Sequence, residues 1–169
     1  MQSFPKSSSL SSAILECLAS GGDEVFAGFI NPRKTMYYGR DRVIRDYFGD
    51  RAPSQVRRSL QSLEQKGAVK RSGRIYEICD RGWSMVLMNR MKDADLYDDM
   101  RMLMIIFDVP ESRKADRDRL RRLLLNAGCG LLQKSVYITP FDVLADLKEV
   151  LKQTKLDGCV KMYFGKPVQ

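Results

Sequence analysis

Residues 100–142 read MRMLMIIFDVPESRKADRDRLRRLLLNAGCGLLQKSVYITPFD. The apolar run 102–107 leads into Asp108, Val109 and Pro110, as a buried strand does where it meets a loop. Residues 113–126 carry helical spacing, with Leu120 and Leu124 on the apolar side, and a Gly-rich turn follows. Residues 131–139 form a strand region long enough to bend at Ser135 and serve as two adjoining strands. A helix is expected over 143–154 and a last strand over 159–164. Strand, helix, two strands, helix, strand is the ferredoxin-like β-α-β-β-α-β arrangement. The lack of polar alternation in 102–107 fits a central strand covered on its inner face.

Upstream the pattern differs. Residues 9–19 predict a helix with Ile14, Leu15 and Leu18 inward, ended by Gly21-Gly22. One or two further helices are expected within 23–50, the clearest amphipathic piece being 42–48 with Gly49 as its stop. The best-marked helix is 52–65: Pro53 suits a first-turn position, Val56, Leu60 and Leu63 recur at i, i+4 and i+7, and Gly67 closes it. Residues 68–71 and 74–78 are short strand candidates around Ser72-Gly73, a hairpin turn. A trailing helix is expected over 83–91. Helix, turn, helix, hairpin and helix is the order of a winged helix-turn-helix. The fold class is thus α+β. Its domains are a winged helix over 1–92, an acidic linker over 93–100, and a ferredoxin-like domain over 101–169.

Charge points to a polyanion partner. The 169 residues carry 29 Lys and Arg against 21 Asp and Glu, a formal net charge of +8. The excess is patchy, which favours a binding footprint over mere solubility. Between residues 51 and 74, Arg51, Arg57, Arg58, Lys66, Lys70, Arg71 and Arg74 face the single acid Glu64. A second basic run at 113–122 contains Asp116 and Asp118. No stretch approaches the apolar length of a membrane span, and the N-terminus lacks a signal-peptide core, so a cytoplasmic protein without membrane contact is expected. Cys17, Cys79, Cys129 and Cys159 form no C-x-x-C pair, and with no histidine a zinc site would need all four scattered thiolates. Reduced thiols in or near the core are the simpler expectation.

With Val56 set at zero on a helical wheel, Leu60 and Leu63 lie within about 40 degrees of it. Ser54, Arg58, Gln61 and Gln65 point the other way, and Arg57 and Ser62 stand at the flanks. Arg and Gln are the side chains that pair bidentately with guanine and adenine edges in the major groove. Arg51, near the helix start, would meet a phosphate. Lys70, Arg71 and Arg74 at the hairpin tip suit a sugar-phosphate backbone or the minor groove. An ordinary solvated helix with a basic hairpin is the bland alternative.

Asp108 at the end of a strand is a position that can hold magnesium. It equally suits capping of the following loop, and the nearby Glu111, Asp116 and Asp118 follow no ligand spacing. Arg113, Arg117 and Arg121 form an i, i+4, i+8 row, and Arg117 is placed to pair with a carboxylate such as Asp108. The row also suits phosphates, although a solvated face explains Arg121 and Arg122 as well.

Residues 107–109 (F-D-V), the R-x-x-L-R-R-L-L run at 117–124, Gln133-Lys134-Ser135-Val136-Tyr137 and Met162-Tyr163-Phe164-Gly165 resemble the ferredoxin-like domain of CRISPR-associated protein two. Asp108-Val109-Pro110-Glu111, Gly128-Cys129-Gly130-Leu131 and Ile138-Thr139-Pro140 resemble, at least as closely, the middle domain of the PaaX-type repressors of phenylacetate catabolism. Those repressors carry an N-terminal winged helix, matching the order here. The resemblance covers about 70 residues strongly and implies a dimer formed through the ferredoxin-like domains. For Asp108 it implies a metal ligand in the nuclease-like relatives and a structural residue in the repressors. Because the chain ends at Gln169, acyl-CoA sensing is not carried over.

The expected function is a sequence-specific double-stranded DNA-binding transcriptional regulator, a homodimeric repressor without cofactor whose effector the sequence does not name. The alternative is a magnesium-dependent nuclease or CRISPR-type adaptation protein using Asp108. A third possibility is a non-enzymatic assembly factor that binds duplex without sequence preference.

Overall fold

The computed structural model describes residues 9–21, 26, 48, 51–73 and 75–167. Within them the chain mixes helix and strand and divides into two compact units, residues 1–82 and 83–169. No helix of the described residues is long and apolar enough to cross a membrane.

The first unit opens with α1, Leu10–Ala19, whose start is fixed by Ser9: its Oγ accepts from the Ser12 N–H at 3.2 Å. Ile14, Leu15, Cys17 and Leu18 are buried along one face, and Gly21 leaves the helix with φ +80. The expected helices within 23–50 lie outside the described residues, apart from two points. Phe26 and Phe48 are helical and buried, with ring centroids 5.7 Å apart. Helix α2, Pro53–Gln65, follows the i, i+4, i+7 pattern: Val56, Leu60 and Leu63 are its buried residues. Each such Leu contributes roughly 1.5–3 kcal/mol by leaving water. Gly67, at φ +68, ends α2, and the Ala68 N–H closes back on the Leu63 carbonyl at 2.9 Å. Only a residue tolerant of left-handed backbone makes that reversal cheaply.

Strands β1, Val69–Ser72, and β2, Ile75–Ile78, pair antiparallel with Lys70 opposite Glu77 and Arg71 opposite Tyr76. Helix α3, Asp80–Asp93, begins three residues before the expected start and so takes Gly82 into its first turn. A Cβ on Gly82 would stand 2.2 Å from the Ala68 carbonyl oxygen and 2.6 Å from Cγ2 of Ile78. The glycine is there because the hairpin backbone needs the space.

In the second unit β3, Met102–Phe107, is followed by α4, Lys114–Ala127, β4, Gly130–Gln133, β5, Val136–Thr139, α5, Leu144–Gln153, and β6, Val160–Gly165. The sheet order is β4-β5-β3-β6, and every neighbouring pair is antiparallel. Ser135, at φ +66, turns the chain from β4 into β5, where the bend was expected. Both helices pack through leucines: Leu120, Leu123 and Leu124 from α4, Leu147, Val150 and Leu151 from α5. Burial in β3 alternates. Leu103, Ile105 and Phe107 are buried, whereas Met102, Met104 and Ile106 are half-buried on the opposite face. The uniform apolarity of this strand therefore reflects two faces with different surroundings.

The acidic segment expected as a linker is tied down by backbone. The Tyr97 N–H donates to the Pro140 carbonyl at 2.8 Å, and the Asp142 N–H to that of Asp95 at 2.9 Å. Asp99 and Met100 then take left-handed φ values of +60 and +56 before β3 starts.

Candidate nucleic-acid interface

Helix α2 leaves its three apolar anchors in the core, so the rest of its surface is free to face outward. Ser54, Arg57, Arg58, Gln61 and Gln65 are all exposed. The helix start is held by Gln55, whose Oε1 accepts from the Ala52 N–H at 3.1 Å. This leaves Ser54 and Arg58 unencumbered by capping duties. Arg51 and Arg58, seven residues apart, line one shallow depression of about 430 Å³ together with Leu10, Gln55 and Ser59. Of the charged residues expected to contact DNA, these two are thus brought to one place.

The hairpin supplies a second cationic element. Lys70 and Arg71 are exposed, whereas Arg74 lies outside the described residues. Neither described cation is idle. The Lys70 Nζ is 2.8 Å from Oε2 of Glu77 across the hairpin. That hydrogen bond raises the lysine pKa and holds the Glu77 carboxyl below its usual range. Arg71 Nε donates to the Gly73 carbonyl at 3.3 Å, which bends the side chain back over the turn. A polyanion approaching this surface must therefore compete with Glu77 for Lys70.

One aromatic escaped the sequence analysis. Tyr76 sits directly across from Arg71 in the hairpin. Burial raises its hydroxyl pKa, with Glu64 adding to the rise and Arg71 and Arg57 opposing it. The fields of Arg57 and Arg71 thus meet at one tyrosine, which places the flank of α2 beside the hairpin. The hairpin turn at Ser72-Gly73 marked 74–78 as a strand candidate, but only the pairing register shows which cations Tyr76 accompanies.

Asp108 presents a different picture. Its side chain is exposed, and its backbone N–H donates to the Cys159 carbonyl at 3.3 Å. The expected partner for Arg117 is corrected by the structure. Arg117 Nη2 contacts Oε2 of Glu111 at 2.6 Å; Asp108 is the weakest of the influences that raise the arginine pKa. The short helical turn at Glu111–Arg113 swings Glu111 back towards α4, a reversal that linear spacing does not reveal. Among the described residues no group of three or more His, Cys, Asp or Glu is placed to hold a metal ion. Magnesium is commonly held by one or two carboxylates completed by waters and substrate phosphates, and Asp108 belongs to no cluster of such ligands among the described residues.

The four cysteines form no disulfide. Cys17 and Cys129 are buried and Cys79 and Cys159 partly so. Burial pushes the Cys129 thiol up to about 12, which keeps it protonated. At Cys159 the Arg113 guanidinium donates to Sγ at 3.3 Å.

Residues 99–169 match the family model described as the PaaX protein central Cas2-like domain. The match covers all six elements from β3 to β6. No curated protein and no solved structure gave a significant match.

Proposed function

We propose that the chain is a sequence-specific duplex-DNA-binding transcriptional regulator of the PaaX-like type, a repressor acting as a homodimer. The first unit is then a winged helix-turn-helix in which α2 enters the major groove and the β1–β2 hairpin lies along the backbone. The second unit is a ferredoxin-like domain that joins two copies and sets the distance between half-sites.

One observation carries this proposal above the others. Helix α2 presents Ser54, Arg58, Gln61 and Gln65 on a solvent face free of acids, with Arg57 and a basic hairpin alongside. Such side chains read base edges, and the neighbouring cations meet phosphates. The family match of residues 99–169 agrees with a regulator. The antiparallel order β4-β5-β3-β6 supports the ferredoxin-like assignment. Dimerisation finds a candidate surface in the same sheet, away from its helices. Met102, Met104 and Ile106 line it in β3, with Ile138 and Tyr163 paired beside Met104. Tyr163 is 50% exposed there.

A magnesium-dependent nuclease is not favoured, because Asp108 belongs to no group of three or more potential metal ligands among the described residues.

Replacing Arg58 by alanine tests base reading. Affinity for the preferred duplex should fall by about 1–3 kcal/mol, the worth of a bidentate base contact. Affinity for random duplex should fall much less. Equal losses on both, measured by fluorescence anisotropy, would refute base recognition by this residue.

A further inference from the structure

The two faces of the β1–β2 hairpin carry different chemistry. Side chains alternate along a strand, so Val69 and Arg71 share one face with their cross-strand partners Ile78 and Tyr76. Lys70 and Ser72 share the other with Glu77 and Ile75. Val69 is buried, and Ile78 lies against Gly82 in the first turn of α3. The first face is thus turned inward at its base, and Arg71 and Tyr76 continue it towards the tip. The other face has its cation engaged, with Lys70 on Glu77 at 2.8 Å.

Helix α2 supplies the wall opposite. Strand β1 packs against α2. Helix α1 takes one flank of α2, where Leu10 lines a depression with Gln55 and Ser59. The other flank carries Arg57 and Glu64, about 20 degrees apart on the helical wheel and about 10 Å apart along the axis. The Tyr76 hydroxyl feels the charges of both, together with that of Arg71. Helix and hairpin therefore meet in a seam at this hydroxyl. The tyrosine is half-buried, whereas Arg57 and Arg71 are exposed. Neither Arg57 nor the Tyr76 hydroxyl has a hydrogen-bond or ion-pair partner among the described residues. Arg71 is held by the 3.3 Å bond to the Gly73 carbonyl.

Glu64 is the single acid between residues 51 and 74, and it stands two turns along the flank from Arg57. An anion entering the seam is drawn instead to the end bounded by Arg57 and Arg71. Burial and Glu64 raise the tyrosine pKa, so the phenol stays protonated at neutral pH and serves as a donor. Two guanidinium groups beside one neutral donor suit an oxyanion better than a base edge, which offers acceptors and donors side by side.

We propose that the seam between α2 and the hairpin seats one backbone phosphodiester of duplex DNA, with the Tyr76 O–H donating to a phosphate oxygen between Arg57 and Arg71. The assignment rests on the duplex-binding reading of the first unit and adds a residue to it. A phosphate held by both elements fixes how α2 lies on the duplex, so Tyr76 positions the helix without reading sequence.

The test is fluorescence anisotropy of the full chain on a fluorescein-labelled duplex of random sequence, which reports phosphate contacts. Tyr76→Phe removes the hydroxyl and keeps the ring. It should weaken binding about tenfold, the worth of one hydrogen bond to a charged group. Its salt slope should match the parent's, because no charge is lost. Arg57→Gln and Arg71→Gln should each make the log–log slope shallower by about 0.9. In the double variant Arg57→Gln, Tyr76→Phe the losses should be less than additive, since both groups act on one phosphate. Thermal melting checks that each variant is folded. A Tyr76→Phe variant that binds as the parent does, or losses that add in full, would overturn the seam; the role of α2 would still stand on Arg58→Ala. Weaker binding by Tyr76→Phe alongside equal losses on preferred and random duplex for Arg58→Ala keeps the seam and removes base reading by that arginine. A wild-type chain that does not bind duplex overturns both.

Discussion

Lys70 and Glu77 show how a single cross-strand neighbour sets the charge that the proposed binding surface offers. Their side chains are 63% and 40% exposed, so the ion pair adds little to stability and acts mainly on what Lys70 can reach. Converting Glu77 to glutamine should release the ammonium. Affinity for duplex should then rise severalfold, with a salt slope steeper by about 0.9; unchanged affinity in an anisotropy titration would show that Lys70 does not meet phosphate. The pH dependence follows from the same pair. The Glu77 pKa is lowered from 4.5 when folded. Its contribution is complete above that ordinary value and is lost only as pH falls through the depressed one. The chain has no histidine, and Cys129 stays protonated up to about 12. Duplex binding should therefore be flat between pH 5 and 7 at fixed ionic strength. A titration within that window would point to a group outside this account.

At the scale of elements, what holds the hairpin against its neighbours is a missing side chain. Gly82→Ala would put a methyl group 2.2 Å from the Ala68 carbonyl. Overpacking of this kind costs about 1–3 kcal/mol. Denaturant unfolding should show that loss, together with weaker DNA binding; a variant as stable as the parent would mean that the hairpin is not seated on the first turn of α3. Helix ends were readable in advance because glycine announces them: Gly21, Gly67 and Gly128 all adopt positive φ. The buried stripe of α2 was readable too, since Val56, Leu60 and Leu63 obey the helical period whatever the tertiary context. Gly82 was not. An internal helical glycine gains its meaning only from the chain that approaches it. The same applies to Tyr76 beside Arg57 and Arg71, to Lys70 opposite Glu77, and to Arg117 on Glu111. Each depends on strand register or loop path, which local spacing leaves open. The exposed face of α2 was readable as a set of residues, and the hold of Glu77 on Lys70 in the hairpin was not.

For the whole molecule, a dimer would give two copies of α2 a fixed separation, so oligomeric state bears on function directly. The sheet face carrying Met102, Met104, Ile106 and Ile138 is the apolar surface we assign to that contact. Met104 lies at its centre, paired with Ile138 on one side and Tyr163 on the other. Met104→Lys should shift the chain from dimer to monomer in light scattering while circular dichroism stays unchanged. A variant that keeps the wild-type mass would move the dimer contact elsewhere. The most direct measurement on the central claim is selection of bound sites from a pool of random duplexes by the purified wild-type chain. An enriched inverted repeat is predicted, with half-sites whose centres are separated by about one helical turn or a multiple of it. A bound pool with no enriched motif would contradict sequence reading by α2.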